Sequence, residues 1–159
     1  MLWTSHGVYT SFVLKSIVDH NEENTKVLLP ILLNNQKEIG DQLKPYIGVS
    51  NGNKITKVLT EHIKLAGAVI TDATNNSPKL DEDKAKLFRN SDEVAATLTS
   101  LNLKMLPYED TQYMFEIHNR FVINMTIARL KKDYKKEQKL YDAYYNEILM
   151  MSDMIADAL

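Results

Sequence analysis

Three of the four histidines in this 159-residue chain fall on the apolar stripes of three different predicted helices. Apolar residues recur there every three or four positions, which is the spacing of one helix face. The three stripes are His6, Thr10, Val13 and Ile17; Leu59, His62, Leu65 and Val69; and Met114, Ile117, His118, Phe121 and Met125. Imidazoles that converge from several helices of a bundle favour Zn²⁺, Fe or Mn, so the pattern predicts a metal site.

The heights of these histidines along their helices place them in one layer of a bundle. With a rise of 1.5 Å per residue, His62 and His118 lie roughly 14 and 16 Å from the starting ends of their helices. His6 comes to roughly 15 Å if the first two helices end level. On the descending second helix Glu38 lies within roughly 19 Å of the same end, whereas Asp142 on the last helix lies near 26 Å. The estimate therefore favours Glu38 over Asp142 as a carboxylate ligand.

The predicted site consists of His6, His62 and His118, completed by Glu38 or Asp142, around a divalent ion such as Zn²⁺ or Fe. The chain has no cysteine, so any metal ion must be held by imidazole and oxygen ligands. Outer hydrogen-bond acceptors would orient the imidazoles; the candidates are Glu61, Glu116 and Asn35. In the alternative interpretation, each histidine is a core residue whose ring nitrogens bond to neighbouring polar groups, with no metal.

Composition and motifs exclude several other classes. The net charge of −2 gives no field that would hold nucleic acid, and the basic segment RLKKDYKKEQK is interrupted by Asp133 and Glu137. The chain has no phosphate-binding GxxxxGK[ST] or GxGxxG pattern and no GxSxG nucleophile elbow. The amino-terminal segment lacks a basic region, and no apolar run reaches the roughly 18 residues that span a bilayer. We expect a soluble, cytoplasmic protein without a nucleic-acid or membrane partner.

The elements that must position the histidines are all helical, because the apolar spacing is helical almost throughout and strand-like alternation is missing. The predicted helices are Thr4–Asp19, Asn24–Tyr46, Asn53–Thr74, Lys79–Leu101, one from Pro107 to Leu130, and one from Tyr134 to the carboxyl end. We expect Pro30 to bend the second helix or delay its start, and GVSNGN and LNLKML to form loops. The prediction is an all-α, antiparallel up-down bundle of four long helices and shorter ones, in a single domain over residues 1–159.

Five segments, LWTSHGVYT, LLNNQKEIG, LTEHIKLA, MFEIHNRF and KLYDAYYNEIL, together resemble a family of small all-helical bacterial proteins of unassigned activity. The family pattern is W-x-x-H, then L-L-x-N with an acid-I-G, then E-H twice, then Y-D. It covers nearly the whole chain and maps onto Trp3, His6, Thr10, Asn35, Glu38, Gly40, Glu61, His62, His118, Tyr141 and Asp142. Ile117 departs from it, where the second E-H has Glu. The resemblance implies a helical bundle with a polar core, and it adds weight to Asp142.

Two functions without a metal ion remain open. The Tyr- and Met-rich last helix, YDAYYNEILMMSDM, favours a structural or interaction module that forms a homodimer. A helical sensor that binds a small ligand in the bundle core has the same sequence pattern as the metal site. The sequence assigns no reaction, so whether the protein is an enzyme stays open.

Overall fold

The structure, a computed structural model, describes residues 1–101 and 106–159. Within those ranges the chain forms six α-helices and no strand, which confirms the predicted all-α helical bundle. The helices are α1 (Leu2–Val18), α2 (Glu22–Ile47), α3 (Val49–Thr74), α4 (Leu80–Thr99), α5 (Tyr108–Leu130) and α6 (Tyr134–Ala158). Consecutive helices pack side by side, and α1 also contacts α3, α5 and α6. None of the helices in the described ranges is long and apolar enough to cross a membrane.

Side-chain caps mark the starts of two of the six helices. The Asn21 side chain accepts a hydrogen bond from the Asn24 backbone N–H at the start of α2, and Asp133 does the same for Lys136 at the start of α6. Of the two effects predicted for Pro30, a delayed start of α2 is wrong, because α2 begins at Glu22 and contains this proline, and a bend in the helix stays a prediction. Residues 102–105 of the predicted loop LNLKML lie outside the described residues.

A single residue, Gly48, connects α2 to α3, so the predicted GVSNGN turn is shorter than expected. Gly48 has φ 84°, a left-handed conformation that glycine adopts without steric cost, and VSNGN after it already belongs to α3. The two helices touch closely at Gly40 and Gly52. A Cβ on Gly40 would lie 2.7 Å from the Gly52 carbonyl oxygen and would collide with the Thr56 hydroxyl. The close approach of α2 and α3 at this level therefore requires glycine, which has no side chain, at position 40.

Apolar residues form two main clusters. The first apolar cluster draws on α2 to α6 and contains Ile39, Leu43, Ile55, Leu59, Val94, Leu98, Phe115, Met151 and Ile155. The second apolar cluster contains Leu14, Val18, Ile70, Val122, Met125, Tyr144 and Ile148. On α3 and α5 the histidines come between the two clusters in sequence, with His62 between Leu59 and Ile70 and His118 between Phe115 and Val122.

Arg129 connects three helix ends on one side of the bundle. Its guanidinium group hydrogen-bonds both carboxylate oxygens of Asp19, the residue after α1, and lies 3.1 Å from both carboxylate oxygens of Glu137 in the first turn of α6. The same group lies 5.8 Å from the centre of the Tyr134 ring. Since Arg129 is itself in the last turn of α5, this pairing fixes α1, α5 and α6 relative to one another.

Candidate metal centre

The structure brings His6, His62 and His118 together in the bundle core. Their exposed fractions are 5%, 3% and 3%. The ring centroid of His118 lies 5.7 Å from that of His6 and 6.0 Å from that of His62. His118 is therefore the central ring of the three. Its ring centroid also lies 5.0 Å from that of Tyr144.

Each histidine is held through its Nδ1 atom by a side chain from a neighbouring helix. Asn90 Oδ1 of α4 lies 2.8 Å from His62 Nδ1, and Glu147 Oε2 of α6 lies 3.0 Å from His118 Nδ1. Both partners are oxygens that accept, so Nδ1 carries a proton in each ring, and in the neutral ring Nε2 carries the lone pair. These two imidazoles are thus oriented from outside in the way that metal-bound histidines are.

His6 differs, because Nδ1 of its ring lies 3.0 Å from Gln36 Nε2, an amide nitrogen that donates. The three histidines and their three partners form what we call the histidine layer. Each helix contributes one member, and the members are His6, Gln36, His62, Asn90, His118 and Glu147. The layer thus depends on the packing of the whole bundle.

Burial keeps two of the imidazoles uncharged. The pKa of His62 is lowered from 6.5 to about 4, first by burial and then by the neighbouring His118, while the bond to Asn90 acts in the opposite direction. The pKa of His6 is lowered well below 6.5, again chiefly by burial and then by His118 and His62. Near neutral pH both rings are therefore neutral, which is the form that binds a metal ion.

The two carboxylates predicted as ligands lie away from the histidine layer. Glu38 is exposed on α2, where Asn34 Nδ2 donates to it at 2.9 Å. Asp142 is exposed on α6, where Gln138 Nε2 donates to it at 2.9 Å. Each lies two positions from a fully buried residue, and two positions on an α-helix are a turn of about 200°, which leads to the opposite face. The height estimate did not include the direction of a side chain around its helix. The prediction that Glu38 or Asp142 lies in the core beside the histidines is therefore wrong.

The carboxylate in the layer is instead Glu147, and its role as the outer partner of His118 was not predicted. Of the predicted outer partners, Glu61 is exposed and Glu116 is partly buried, and neither hydrogen-bonds a histidine among the described residues. The third, Asn35, is buried, and a hydrogen bond from its side chain to His6 acts to raise the pKa of that ring. A signal for the actual partners exists in the sequence. Gln36, Asn90 and Glu147 each interrupt an apolar stripe of their own helix, as the histidines do.

The buried face of α5 is rotated relative to the predicted stripe. Met114, Ile117 and Phe121 are only partly buried, whereas the buried positions are Thr111, Phe115, His118, Asn119, Val122, Met125, Thr126 and Ala128. Several of these buried residues are polar. A pattern of apolar residues alone therefore predicted a buried face that is shifted by about one residue from the observed one. His118 is consequently inside the buried face and not at its margin.

Unpartnered buried polar atoms concentrate around the histidine layer. Six such side-chain atoms have no hydrogen-bond partner in the described part of the chain. Five of them belong to residues that bond a histidine, pack on one, or lie within one turn of one: Thr10, Gln36, Asn119, Tyr144 and Glu147. The Tyr144 hydroxyl keeps its proton, because burial raises its pKa far above the ordinary value of 10.

As they stand, the side chains do not form a closed metal site. Among the residues that the structure describes, no group of three or more His, Asp or Glu side chains is arranged to hold a metal ion. The rings of His6 and His62 stand 5.7 and 6.0 Å from that of His118, and His6 presents a protonated Nε2. The arrangement is a hydrogen-bonded imidazole cluster.

The chain matches no protein family model, no curated protein and no solved structure in comparisons with each. The function must therefore be argued from the histidine layer itself, and the resemblance described above stays a prediction.

Proposed function

We propose that the protein binds one divalent transition-metal ion, Zn²⁺ or Fe²⁺, through Nε2 of His6, His62 and His118. The observation that carries the proposal is the outer bonding of His62 by Asn90 and of His118 by Glu147. An acceptor at Nδ1 fixes the tautomer, orients the ring and raises the basicity of Nε2, and metal-bound histidines almost always have one. Two rings prepared in this way, beside a third buried ring, support a metal-binding role.

The distances between the rings are compatible with closure on an ion. Two imidazoles that bind a tetrahedral ion at about 2.0–2.1 Å through Nε2 have ring centroids roughly 5 Å apart. The observed centroid distances are 5.7 and 6.0 Å. The centroid of the His118 ring thus stands within about 1 Å of this separation from each of the other two rings.

Three protein ligands leave a coordination position for a further ligand, as in catalytic zinc sites. The buried hydroxyls of Thr10 and Tyr144 lie beside the layer and next to each other, since the Thr10 hydroxyl acts to lower the pKa of Tyr144. They suit a small oxygen ligand, such as water, on the ion. Any activity would then be metal-assisted chemistry on a small molecule.

The test is elemental analysis of protein purified without an affinity tag from cells supplied with zinc and iron. We expect about one equivalent of metal in the wild type and in His20→Ala, which removes a histidine outside the layer. We expect none in the triple variant with alanine at His6, His62 and His118. His62→Gln, which keeps a polar side chain, is measured in parallel as a safeguard against misfolding of the triple variant, and its folding is checked by circular dichroism. A folded wild type that binds far less than one equivalent would overturn the proposal.

A second candidate is a structural module in which the layer only provides hydrogen-bonded core polar groups. It is favoured by the fact that all three histidines already have side-chain partners. Its surface would pair copies of the chain through α6, where Met150 and Tyr134 are 72% and 58% exposed. Unchanged thermal stability on chelation, together with a concentration-dependent dimer in sedimentation experiments, would support this candidate over the first.

A further inference from the structure

A cleft on the surface between α1 and α6 is lined by two tyrosine rings and a carboxylate. Its volume is about 300 Å³, and the residues that line it are Val8 of α1 and Tyr141, Asp142, Tyr145 and Asn146 of α6. The four α6 residues have the spacing i, i+1, i+4 and i+5, so they occupy one side of that helix. The cleft opens at the surface of the bundle, since Asp142 and Asn146 are both exposed.

Packing against the bundle holds both tyrosine rings in place. The ring centroids of Tyr141 and Tyr145 lie 6.1 Å apart, with 36° between the ring planes. The Tyr141 ring also lies 6.4 Å from that of Tyr144, which is fully buried. Tyr145 lies against the backbone of α1, because a Cβ added to Gly7 would be 3.9 Å from its ring and 2.7 Å from the Ile148 side chain. Helix packing therefore positions the two rings independently of a ligand.

The groups that line the cleft favour a cation. An aromatic face carries partial negative charge and attracts a cation that lies within about 6 Å of the ring centre. The Lys15 ammonium lies 5.9 Å from the centre of the Tyr141 ring, so this ring already has a cation beside it in the protein. Asp142 adds a full negative charge to the cleft. Its hydrogen bond from Gln138 does not neutralise that charge, because this partner is an uncharged amide.

A quaternary ammonium group suits this lining better than a primary one. A primary ammonium brings three N–H donors that all need acceptors, whereas three of the five lining side chains are aromatic or aliphatic. A quaternary ammonium has no N–H group and presents methyl groups, which pack against rings and against Val8 while the charge meets the aromatic faces. The amide of Asn146 remains for a neutral polar group of the ligand, such as a hydroxyl.

We propose that this cleft binds a small quaternary ammonium compound with a hydroxyl group, whose cationic head lies against the rings of Tyr141 and Tyr145 and beside the Asp142 carboxylate. The hydroxyl group of the ligand bonds to the Asn146 amide. A volume of about 300 Å³ is at the lower end of the range for small-molecule sites, which suits a free molecule of this size. The five lining residues are all outside the histidine layer, so this site does not depend on the proposed metal ion.

The first test is a titration of the protein with choline, followed by the amide signals in ¹H–¹⁵N NMR spectra. We expect saturable shifts at Val8 and at residues 141–146, with a dissociation constant of about 1 mM or below. The neutral isostere 3,3-dimethyl-1-butanol has the same shape without the charge, and it should bind about tenfold more weakly. Equal affinity for the two compounds, or choline shifts in this region that do not saturate, would overturn the proposal.

The second test compares variants with opposite expected signs, each checked for folding by circular dichroism. Tyr145→Leu removes an aromatic face and should weaken choline binding about fivefold. Asp142→Asn, at an exposed position, should weaken it about threefold. Lys15→Met should tighten binding, because it removes a competing cation from the Tyr141 ring.

Tyr113→Leu is the matched control, since this tyrosine is 66% exposed on α5, and it should leave choline binding unchanged. Unchanged binding in both Tyr145→Leu and Asp142→Asn would mean that choline binds elsewhere and would overturn the site. Weaker binding in Lys15→Met than in the wild type would overturn the assignment of a cation as the ligand.

Discussion

The first apolar cluster and the histidine layer lie at neighbouring positions on the same helices, but they meet the demands of burial differently. On α3, Leu59 precedes His62 by three residues, and on α5, Phe115 precedes His118 by three. Side chains of the cluster gain free energy from leaving water and need no partner. Those of the layer lose hydrogen bonds to water and depend on one another to replace them.

The layer replaces these hydrogen bonds only in part. Five of the six unpartnered buried polar atoms of the described chain belong to residues in or beside it. An unsatisfied buried polar group costs about 1–3 kcal/mol, so this part of the core is not optimised for stability. Natural proteins depart from such local rules chiefly at functional sites. In this comparison the apolar clusters hold the fold, and the binding role proposed for the layer agrees with its incomplete hydrogen bonding.

The largest effect is expected from truncation within the first apolar cluster. Ile55 is 1% exposed there, and Ile55→Ala should lower the free energy of unfolding by about 2–5 kcal/mol, because it removes buried methyl groups and leaves a cavity. Urea unfolding measures the change, and Ile39→Val, which removes a single methyl group, should cost about 0.5–1.5 kcal/mol. A loss below about 1 kcal/mol for Ile55→Ala would contradict the role of the cluster.

Acid should destabilise the metal-free protein through the histidine layer. The pKa of His62 is about 4 in the folded protein and 6.5 ordinarily, so the unfolded state binds this proton more readily. The stabilising contribution of the neutral ring is therefore complete above pH 6.5, and it is lost as the pH falls toward 4. The loss amounts to about 3 kcal/mol, and His6 acts in the same direction.

Urea unfolding at several pH values between 7 and 4 measures this dependence. The double variant His62→Leu/Asn90→Leu is the control, since it lacks the titrating ring and should show a shallower slope. Equal slopes for the two proteins would exclude His62 as the source.

The close packing of α2 against α3 should tolerate no side chain at Gly40. Gly40→Ala places a methyl group against the Gly52 carbonyl and the Thr56 hydroxyl, so α2 and α3 must separate one turn from Gln36. We expect a loss of about 1–3 kcal/mol in thermal or urea unfolding. Gly67→Ala is the matched control, because no atom lies within 4 Å of its added Cβ. It should stabilise α3 by about 0.4–1 kcal/mol, and the two variants should thus differ in sign.

The smallest net effect is expected when a whole polar pair is removed from the layer. His62→Leu alone leaves Asn90 Oδ1 buried without its partner and should cost about 1–3 kcal/mol in metal-free protein. His62→Leu/Asn90→Leu removes donor and acceptor together and should return to within about 1 kcal/mol of the wild type. A double variant as unstable as the sum of both single variants would mean that the layer stabilises the fold, against the comparison above.

The sequence predicted most of the fold, because helix periodicity and caps are local. The predicted and observed ends of the helices after Asn75 agree within two residues outside the undescribed loop. The larger miss came at α3, where Gly48 alone makes the turn and the predicted start at Asn53 is four residues late. Glycine and asparagine in SNGN are typical of turns, but the contact between Gly40 and Gly52 favours helix there.

The sequence predicted the histidines of the candidate site but not their partners. Helical spacing identified the three histidines, since a polar residue on an apolar stripe is a local pattern. It misplaced the carboxylate, because Glu38 and Asp142 were judged by height without their direction around the helix. Glu147 was overlooked, although it too interrupts an apolar stripe.

The sequence by itself determined six helices, their order and the histidines on their inner faces, because these depend on the spacing of residues close along the chain. Only the tertiary structure decided which side chains meet those histidines. Asn90, Glu147 and Gln36 lie about 30 residues from their partners, so their contacts depend on the packing and rotation of whole helices. The same packing sets the tautomer of each ring, because the atom that reaches Nδ1 is an acceptor in two cases and a donor in the third.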